Sequence, residues 1–229
     1  MGVPLMSTGE AIQRLRISYR IGDPLQYASV LDMGRLWERL LRRAGLPLAY
    51  TQGFHPHPRL QFAAPLPVGY RSEAEWLDVY LRETVDPAQA IDALAPQCPL
   101  GLTILGAEAV PVGAPILQAQ MREAEYAVRL WSPADPIAVQ DALSALLVAE
   151  SLPRSRVRKD RLQEYDLRPL IHELAYVSGH QTDGGTWEHA LYVRARCGSQ
   201  GSGRPEELLG ELGLEIGHWS VCRTRLIWD

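Results

Sequence analysis

The sequence is poor in cysteine and has no long hydrophobic run. Cys98, Cys197 and Cys222 are its only cysteines and show no CxxC spacing, so we expect neither a disulfide framework nor a zinc site. No apolar run approaches the ~20 residues that a membrane-spanning helix needs. The first residues, MGVPLMSTGE, lack the basic and apolar regions of a secretory signal. Together these absences favour a protein of the reducing cytoplasm.

Lysine and phenylalanine are also scarce. Lys159 is the only lysine, so arginine carries nearly all of the positive charge in a chain whose net charge is −4. A net negative charge does not favour unspecific binding of polyanions. The arginine bias has two possible explanations. One is genome composition or heat adaptation, and the other is a need for bidentate contacts to phosphate or carboxylate groups. Because Phe54 and Phe62 are the only phenylalanines, the aromatic-rich strands of an RRM are absent, and we do not expect bases to stack on a sheet face.

Several common catalytic motifs are absent as well. The sequence contains no Walker loop, GxGxxG, GxSxG or HExxH motif. A glycine-rich segment, Gly198-Ser-Gln-Gly-Ser-Gly203, precedes a predicted helix but contains no lysine. We therefore predict a mobile loop there rather than a phosphate-binding loop.

What the sequence does contain is the pattern of an α+β protein. Apolar alternation and helical periodicity follow one another twice in the order strand, helix, strand, strand, helix, strand. Two such rounds predict two tandem ferredoxin-like (βαββαβ) units, with antiparallel sheets and helices packed on one face. We expect an N-terminal ferredoxin-like domain over 12–112 and a C-terminal one over 121–229.

Local signals give the bounds of these elements. Ser29, Asp86 and Asp135 are predicted helix caps, and Gly45 and Pro47 predict the end of the first helix. The predicted helices span 30–44, 87–94, 136–149 and 205–212. The predicted strands span 14–21, 59–64, 75–81, 102–110, 125–131, 191–196 and 220–228, with one or two further segments between 165 and 177. We expect loop-rich chain around 154–161.

The first predicted helix has a basic face opposite its apolar stripe. Its arginines stand three and four residues apart, with Asp32 and Glu38 at the edges of the face. They are Arg35, Arg39, Arg42 and Arg43. The pattern is typical either of a solvated face with its own salt bridges or of an anion-binding surface.

The segment after this helix, Tyr50-Thr-Gln-Gly-Phe-His-Pro-His-Pro-Arg59, is dense in functional side chains. Its alternating prolines predict an extended backbone on which His55 and His57 point the same way. Four interpretations stay open: two metal ligands, a general acid and base acting on RNA, non-catalytic contacts to a base or phosphate, or a rigid structural turn. No acidic residue or cysteine nearby completes a metal-ligand set.

The second half contains a parallel basic cluster. It lies directly before Asp166-Leu-Arg-Pro169 and is either a solvated loop or a flexible loop that binds an RNA backbone. Its members are Arg154, Arg156, Arg158, Lys159 and Arg161.

Three motifs together resemble one family. The helix start Ser29-Val-Leu-Asp32, then Arg42-Arg-Ala-Gly-Leu-Pro47, and Gly53-Phe-His-Pro-His-Pro58 are similar to the hallmark of the radical-SAM-linked protein family, which is encoded beside or fused to a radical-SAM protein. The later Pro65-Leu-Pro-Val-Gly69, Glu75 and Asp166-Leu-Arg-Pro169 fit the same pattern. The resemblance implies a separate radical-SAM partner, because this chain has no CxxxCxxC motif of its own.

The chain departs from the family pattern at two positions. Val30 stands where the family often has histidine, and His55 where it often has asparagine. These departures leave His57 as the better candidate for chemistry than His55.

The leading hypothesis is an RNA-binding accessory protein that presents tRNA or rRNA to the radical-SAM partner for modification and is not itself catalytic. One alternative is a metal-independent RNA-processing enzyme, with His57, Tyr50 and Lys159 as candidate catalytic residues. Another is a protein-only docking domain for the partner. No cofactor or metal is expected. The residues predicted to contact nucleic acid are Arg35, Arg39, Arg42, Arg43, Gln52, His55, His57, Arg59, Arg154, Arg156, Arg158, Lys159 and Arg168.

Overall fold

A computed structural model of the protein describes residues 10–158, 161–198 and 201–228. Lys159 and the centre of the glycine-rich segment 198–203, like the first nine residues, lie outside the described residues. The chain divides into two units between Gln120 and Met121. Both are mixed α+β, and all of the strand pairings within each unit are antiparallel.

The first unit places its first strand at the centre of its sheet. β1 pairs with β3 on one side and with β4 on the other, while β2 pairs with Leu77 to Val79 of β3. The elements are β1 (Gln13–Ile21), α1 (Val30–Arg43), β2 (Leu60–Phe62), β3 (Tyr70–Leu81), α2 (Pro87–Leu94), β4 (Leu102–Val110) and a short α3 (Leu117–Gln120).

α1 confirms the sequence prediction closely. Ser29 and Asp32 form a reciprocal capping box at its start, and Gly45 follows the C-cap with φ +70°, a conformation that glycine adopts without strain. The apolar stripe is buried against the sheet, with Trp37 packed edge-on against Tyr19 at a ring separation of 4.9 Å. Burial of this stripe holds the opposite, arginine-bearing face of α1 toward solvent.

α2 also begins as predicted. The Asp86 side chain accepts hydrogen bonds from the backbone N–H groups of Ala88 and Gln89, and Pro87 occupies the first turn. Ala90 and Leu94 of this helix are buried in the same core as the α1 stripe. The segment that follows α2 therefore stays close to α1.

The second unit repeats the strand neighbours of the first. β5 pairs with β10 and with β9, and β9 pairs with β8. The elements are β5 (Met121–Ser132), α4 (Pro136–Val148), β6 (Pro153–Arg158), β7 (Arg161–Asp166), β8 (Ile171–Gln181), β9 (Trp187–Arg196), α5 (Pro205–Leu209) and β10 (His218–Trp228).

The expectation of a loop-rich stretch around 154–161 is wrong. β6 and β7 form an antiparallel two-stranded sheet whose register runs from the pair Pro153 and Asp166 to the pair Arg158 and Arg161. Val157 and Leu162 are its one cross-strand pair of aliphatic residues. A ribbon with so few apolar residues has almost no period-two hydrophobic signal, so alternation alone does not reveal it.

Smaller differences concern the ends of elements. β3 begins at Tyr70 and β5 at Met121, earlier than predicted, and β8 continues to Gln181, beyond the predicted end at 177. α5 ends at Leu209 rather than at 212. None of the helices in the described ranges is long and apolar enough to cross a bilayer.

Candidate nucleic-acid interface

The exposed arginines of α1 divide between two flanks of the helix. Arg35, Arg39 and Arg43 are four residues apart and therefore form one stripe, with about 6 Å of helix rise between neighbours. Arg42 lies on the other flank together with Glu38. We call these the groove flank and the loop flank, after the segments that each one faces.

The groove flank faces the segment that follows α2. Arg35, Arg39 and Arg43 line an open groove of about 590 Å³, whose other wall is Pro96 to Pro99. Arg35 lies 3.5 Å from Asp32, an exposed ion pair. Within the described ranges, Arg39 and Arg43 have no acidic partner. The groove therefore offers two unpaired guanidinium groups to an anion.

Two other titratable groups line this groove, and both are tied to the protein. Hydrogen bonds from the Ser29 side chain and backbone lower the pKa of the Asp32 carboxyl, so it stays ionised at the helix start. Burial raises the pKa of the Cys98 thiol, whose Sγ lies 3.5 Å from the Leu94 carbonyl oxygen. A thiol in that state is a poor nucleophile, so the wall beside α2 supplies shape rather than reactivity.

The loop flank joins α1 to the segment 50–59. Glu38 lies 3.8 Å from Arg42 and 3.5 Å from Nδ1 of His57. The Arg42 guanidinium stands 5.9 Å from the centre of the Tyr50 ring, within the range of a cation–π contact. Of the two loop histidines, His57 is thus the one that contacts a carboxylate.

The segment 50–59 is a closed loop rather than the extended chain that its prolines predict. The Thr51 N–H donates to the His57 carbonyl at 2.8 Å, and the His57 N–H donates to the Thr51 hydroxyl at 3.0 Å. Gly53 supplies the reversal with φ +127°, a region that L side chains rarely adopt. Hydrogen bonds that close the loop override the extended preference of the prolines.

The tip of this loop is fully exposed. Gln52, Phe54 and His55 all face solvent, and the Phe54 ring is 102% exposed. Across the described ranges, no three His, Cys, Asp or Glu side chains are placed to hold a metal ion. The sequence identified the loop and its aromatic residue, and the structure adds the full exposure of Phe54.

Arg59 stands at the base of the loop on an aromatic ring. Its guanidinium lies 4.1 Å from the centre of the Tyr80 ring, and the Tyr80 hydroxyl donates to Gln61 at 3.1 Å. No carboxylate of the described chain pairs with Arg59. Tyr80 is a residue that sequence reasoning missed, because it sits on the polar side of β3, away from the predicted core.

The basic residues of the second unit are engaged differently. The Arg154 guanidinium donates to the Glu207 carbonyl and pairs with Glu211 at 2.9 Å. Arg168 donates to the carbonyl oxygens of Ile171 at 3.0 Å and Leu147 at 2.8 Å. Both side chains join segments of their own unit and are therefore not part of the candidate site. Arg156 and Arg158 lie on β6.

Asp166 also joins segments of the second unit. It accepts backbone hydrogen bonds from Leu152 at 2.7 Å and Arg168 at 2.9 Å, and these bonds lower the pKa of its carboxyl. The motif Asp166-Leu-Arg-Pro169 therefore ties the base of the β6–β7 ribbon to the unit. Its role in the structure is architectural.

Two further arginines are buried in the first unit. Arg14 and Asp78 have no exposed surface, and Arg16 joins them with its Nε 2.9 Å from the Asp78 carboxylate. Arg14 also donates to the carbonyl oxygens of Ala114 at 2.7 Å and Pro115 at 3.0 Å. The alternation of β1 predicts a half-buried strand, but the segment after β4 covers its polar side as well.

The described chain is thus an α+β protein, dominated by antiparallel sheet, with an arginine-lined groove beside a closed loop. Residues 14–205 match a family described as "Uncharacterized protein conserved in bacteria (DUF2344)", and the chain belongs to that family. No curated protein matches the sequence.

Several solved structures are similar in backbone course. One of them is titled "Crystal Structure of a Cbf5-Nop10-Gar1 Complex", with a TM-score of 0.46 and 9% identity over 94% of this chain. Our chain spans 49% of the length of that chain. At this level the likeness carries no functional argument.

Proposed function

We propose that the protein is an RNA-binding accessory protein that presents tRNA or rRNA to a separate radical-SAM enzyme. The observation that carries the proposal is a set of arginines without a carboxylate partner in the described ranges: Arg39 and Arg43 in the groove and Arg59 at the base of the loop. A guanidinium without a protein acceptor keeps its bidentate hydrogen-bonding capacity for a phosphate. The net charge of −4 makes such a local basic surface more selective than a uniformly basic one.

We further infer that each unit is ferredoxin-like. In both, the first strand lies between the last strand and the third, and the second strand pairs with the third. In the second unit the β6–β7 ribbon is inserted between the first helix and the second strand of that order.

The role of the radical-SAM partner rests on the resemblance of the three sequence motifs. In this proposal the partner performs the radical chemistry, and this chain supplies affinity for the RNA. Co-purification of the chain with a radical-SAM protein from the same genome tests the association. A docking domain without RNA affinity would bind that protein in a salt-sensitive manner and leave tRNA and rRNA unbound.

The direct test is a binding measurement with total tRNA and an rRNA fragment pool over a series of salt concentrations. We expect the logarithm of affinity to fall linearly with the logarithm of salt concentration. In an Arg39→Ala/Arg43→Ala variant the slope should become shallower by about 1.4 to 1.8, because each phosphate contact contributes ~0.7 with a single strand and ~0.9 with a duplex.

The matched control is Arg20→Ala. Arg20 is a half-exposed arginine of the same unit that forms an ion pair with Glu73. If this variant changes the salt slope as much as the double variant, the groove has no special role. If the wild-type chain binds neither RNA pool at low salt, the proposal is wrong.

A second candidate function is metal-independent RNA processing, favoured by the contact of His57 with Glu38. A carboxylate beside an imidazole orients the ring for general acid–base catalysis. Incubation of wild-type protein and His57→Ala with the RNA pool decides between the two. RNA cleavage by the wild type that is lost in His57→Ala supports the enzyme, and cleavage that persists in the variant rejects His57.

A further inference from the structure

The tip of the closed loop exposes an aromatic ring without any packing role. Phe54 is 102% exposed, although transfer of such a ring from water into an apolar contact is favourable. Exposed apolar residues occur singly on every protein, so exposure alone assigns no function. The loop that carries Phe54 supplies the further observations.

The backbone under Phe54 is held by contacts that do not involve its ring. Two hydrogen bonds join Thr51 to His57, a β-bridge joins Tyr50 to Pro58, and the Arg59 N–H donates to the Ala49 carbonyl at 2.9 Å. The loop that carries the ring is therefore held closed before any ligand arrives. Less conformational entropy is then lost when a ligand binds it.

The chemistry around the ring suits a nucleotide. Gln52 and His55, both exposed, flank Phe54 in the tip and supply hydrogen-bonding groups of the kind that read base edges. At the base of the loop, Arg42 and Arg59 stand on the Tyr50 and Tyr80 rings. Cations at the base and an aromatic ring at the tip match the two parts of a nucleotide, its phosphate and its base.

We propose that Phe54 is the stacking platform for one unpaired base, and that the substrate is therefore RNA with a single-stranded nucleotide at the bound position. This proposal rests on the function proposed above and names its substrate class. A base inside a regular duplex is already stacked on both faces and is not accessible to the ring. The loop would thus select loops, bulges or ends of a tRNA or rRNA.

The test compares two labelled RNAs of equal length, a single strand of mixed sequence and a regular duplex, by fluorescence anisotropy. The wild-type chain should bind the single strand more tightly. Phe54→Ala should lose about five- to 150-fold of that affinity, the range measured for loss of one base–aromatic stack. Phe54→Trp should restore it, because an indole also stacks.

Tyr27→Ala is the matched control, since Tyr27 is another exposed aromatic side chain of the same unit, at 74% exposure. It should leave the affinity for both RNAs unchanged. A series of single strands, each with one abasic position, adds a direct test of contact. One position should weaken binding of the wild type but not of Phe54→Ala, which is the coupling that a double-mutant cycle detects.

The outcomes separate this inference from the proposed function. If the wild type binds RNA with a salt slope that depends on Arg39 and Arg43, but Phe54→Ala behaves like Tyr27→Ala, the stacking proposal is wrong and RNA binding stands. If Phe54→Ala instead weakens binding to the radical-SAM protein alone, the ring is a protein anchor and the stacking proposal is also wrong. If no RNA is bound, both proposals fail together.

Discussion

The two units of the molecule each contain an arginine-rich segment, and they use it in different ways. On α1 and at the base of the closed loop, Arg39, Arg43 and Arg59 have no carboxylate partner in the described chain. Beside the β6–β7 ribbon, Arg154 and Arg168 donate to backbone carbonyl groups. The difference lies in which acceptors the fold brings near, because the residue type is the same.

Arginine is suited to both uses. Its five N–H donors in a planar fork can join carbonyl groups of separate segments as readily as they bind a phosphate. The buried Arg14 shows the architectural use in its most complete form, with Asp78 and two carbonyl groups as acceptors. The predictions below separate structural arginines from available ones, from the largest expected effect to the smallest.

Asp78→Asn should have the largest effect. It removes the carboxylate that neutralises Arg14 and Arg16 in a buried site, and breaking a buried ion pair costs about 3–5 kcal/mol. Urea unfolding followed by circular dichroism measures the change in the free energy of unfolding. Glu73→Gln is the matched control, because it removes only the exposed partner of Arg20 and should cost about 0–1 kcal/mol. Equal losses of unfolding free energy in the two variants would contradict a structural role for the buried cluster.

Arg168→Ala should have the next largest effect on stability. It leaves the carbonyl groups of Ile171 and Leu147 without their donor, and a hydrogen bond to a charged group contributes about 1.5–3 kcal/mol. We expect a lower urea midpoint together with an unchanged salt slope of RNA binding. A variant with full stability and a shallower salt slope would place Arg168 among the available arginines instead.

The Arg39→Ala/Arg43→Ala variant should show the opposite combination. Neither side chain has a carboxylate partner in the described chain, and substitution of such a surface residue changes stability by about 0.5 kcal/mol or less. The urea midpoint of the variant should therefore lie close to that of the wild type. Its RNA affinity should fall. A large loss of stability would show that the groove arginines support the fold.

His189 gives the smallest predicted effect, and it concerns pH. Burial lowers the pKa of its imidazole, which lies between the Ala134 carbonyl at 3.0 Å and the Tyr176 hydroxyl at 3.1 Å, with Asp135 also near. The unfolded chain then binds this proton more readily than the folded one, so stability decreases as pH falls below about 6.5.

Urea unfolding at a series of pH values, for the wild type and for His189→Gln, measures this contribution. The decline in stability on acidification should be smaller in the variant, because the group that titrates differently in the two states is gone. Equal declines in the two proteins would show that other groups account for the pH dependence.

The sequence predicts much of the fold because several signals are local. Ser29 with Asp32 and Asp86 with Pro87 start their helices through bonds within one turn, and those predictions are confirmed. The β6–β7 ribbon is missed because its sequence is mostly polar and shows almost no period-two hydrophobic pattern. The hydrogen-bond partners of each arginine cannot be predicted from the sequence, because the acceptors can be distant along the chain. Ala114, an acceptor of Arg14, is one example.

The candidate site is partly predictable for the same reason. The spacing of the four α1 arginines predicts one helix face, but only the segment 96–99 on one side and the loop 50–59 on the other divide them into two flanks. The loop residues are recognisable as a motif, yet its closure depends on a hydrogen bond between Thr51 and His57, six residues apart. The sequence shows that Phe54 belongs to this motif, and the structure shows that its side chain is fully exposed.

The closure of the loop has a consequence for how this protein can diversify. Its two ends are fixed by backbone and hydroxyl groups of Thr51 and His57, and the tip residues between them contribute exposed side chains rather than core contacts. Substitutions at 52, 54 and 55 can therefore change the surface of the tip at little cost to folding. The side chains that form the surface of the tip and the groups that close the loop thus belong to separate residues, which makes the tip a suitable position for engineered libraries.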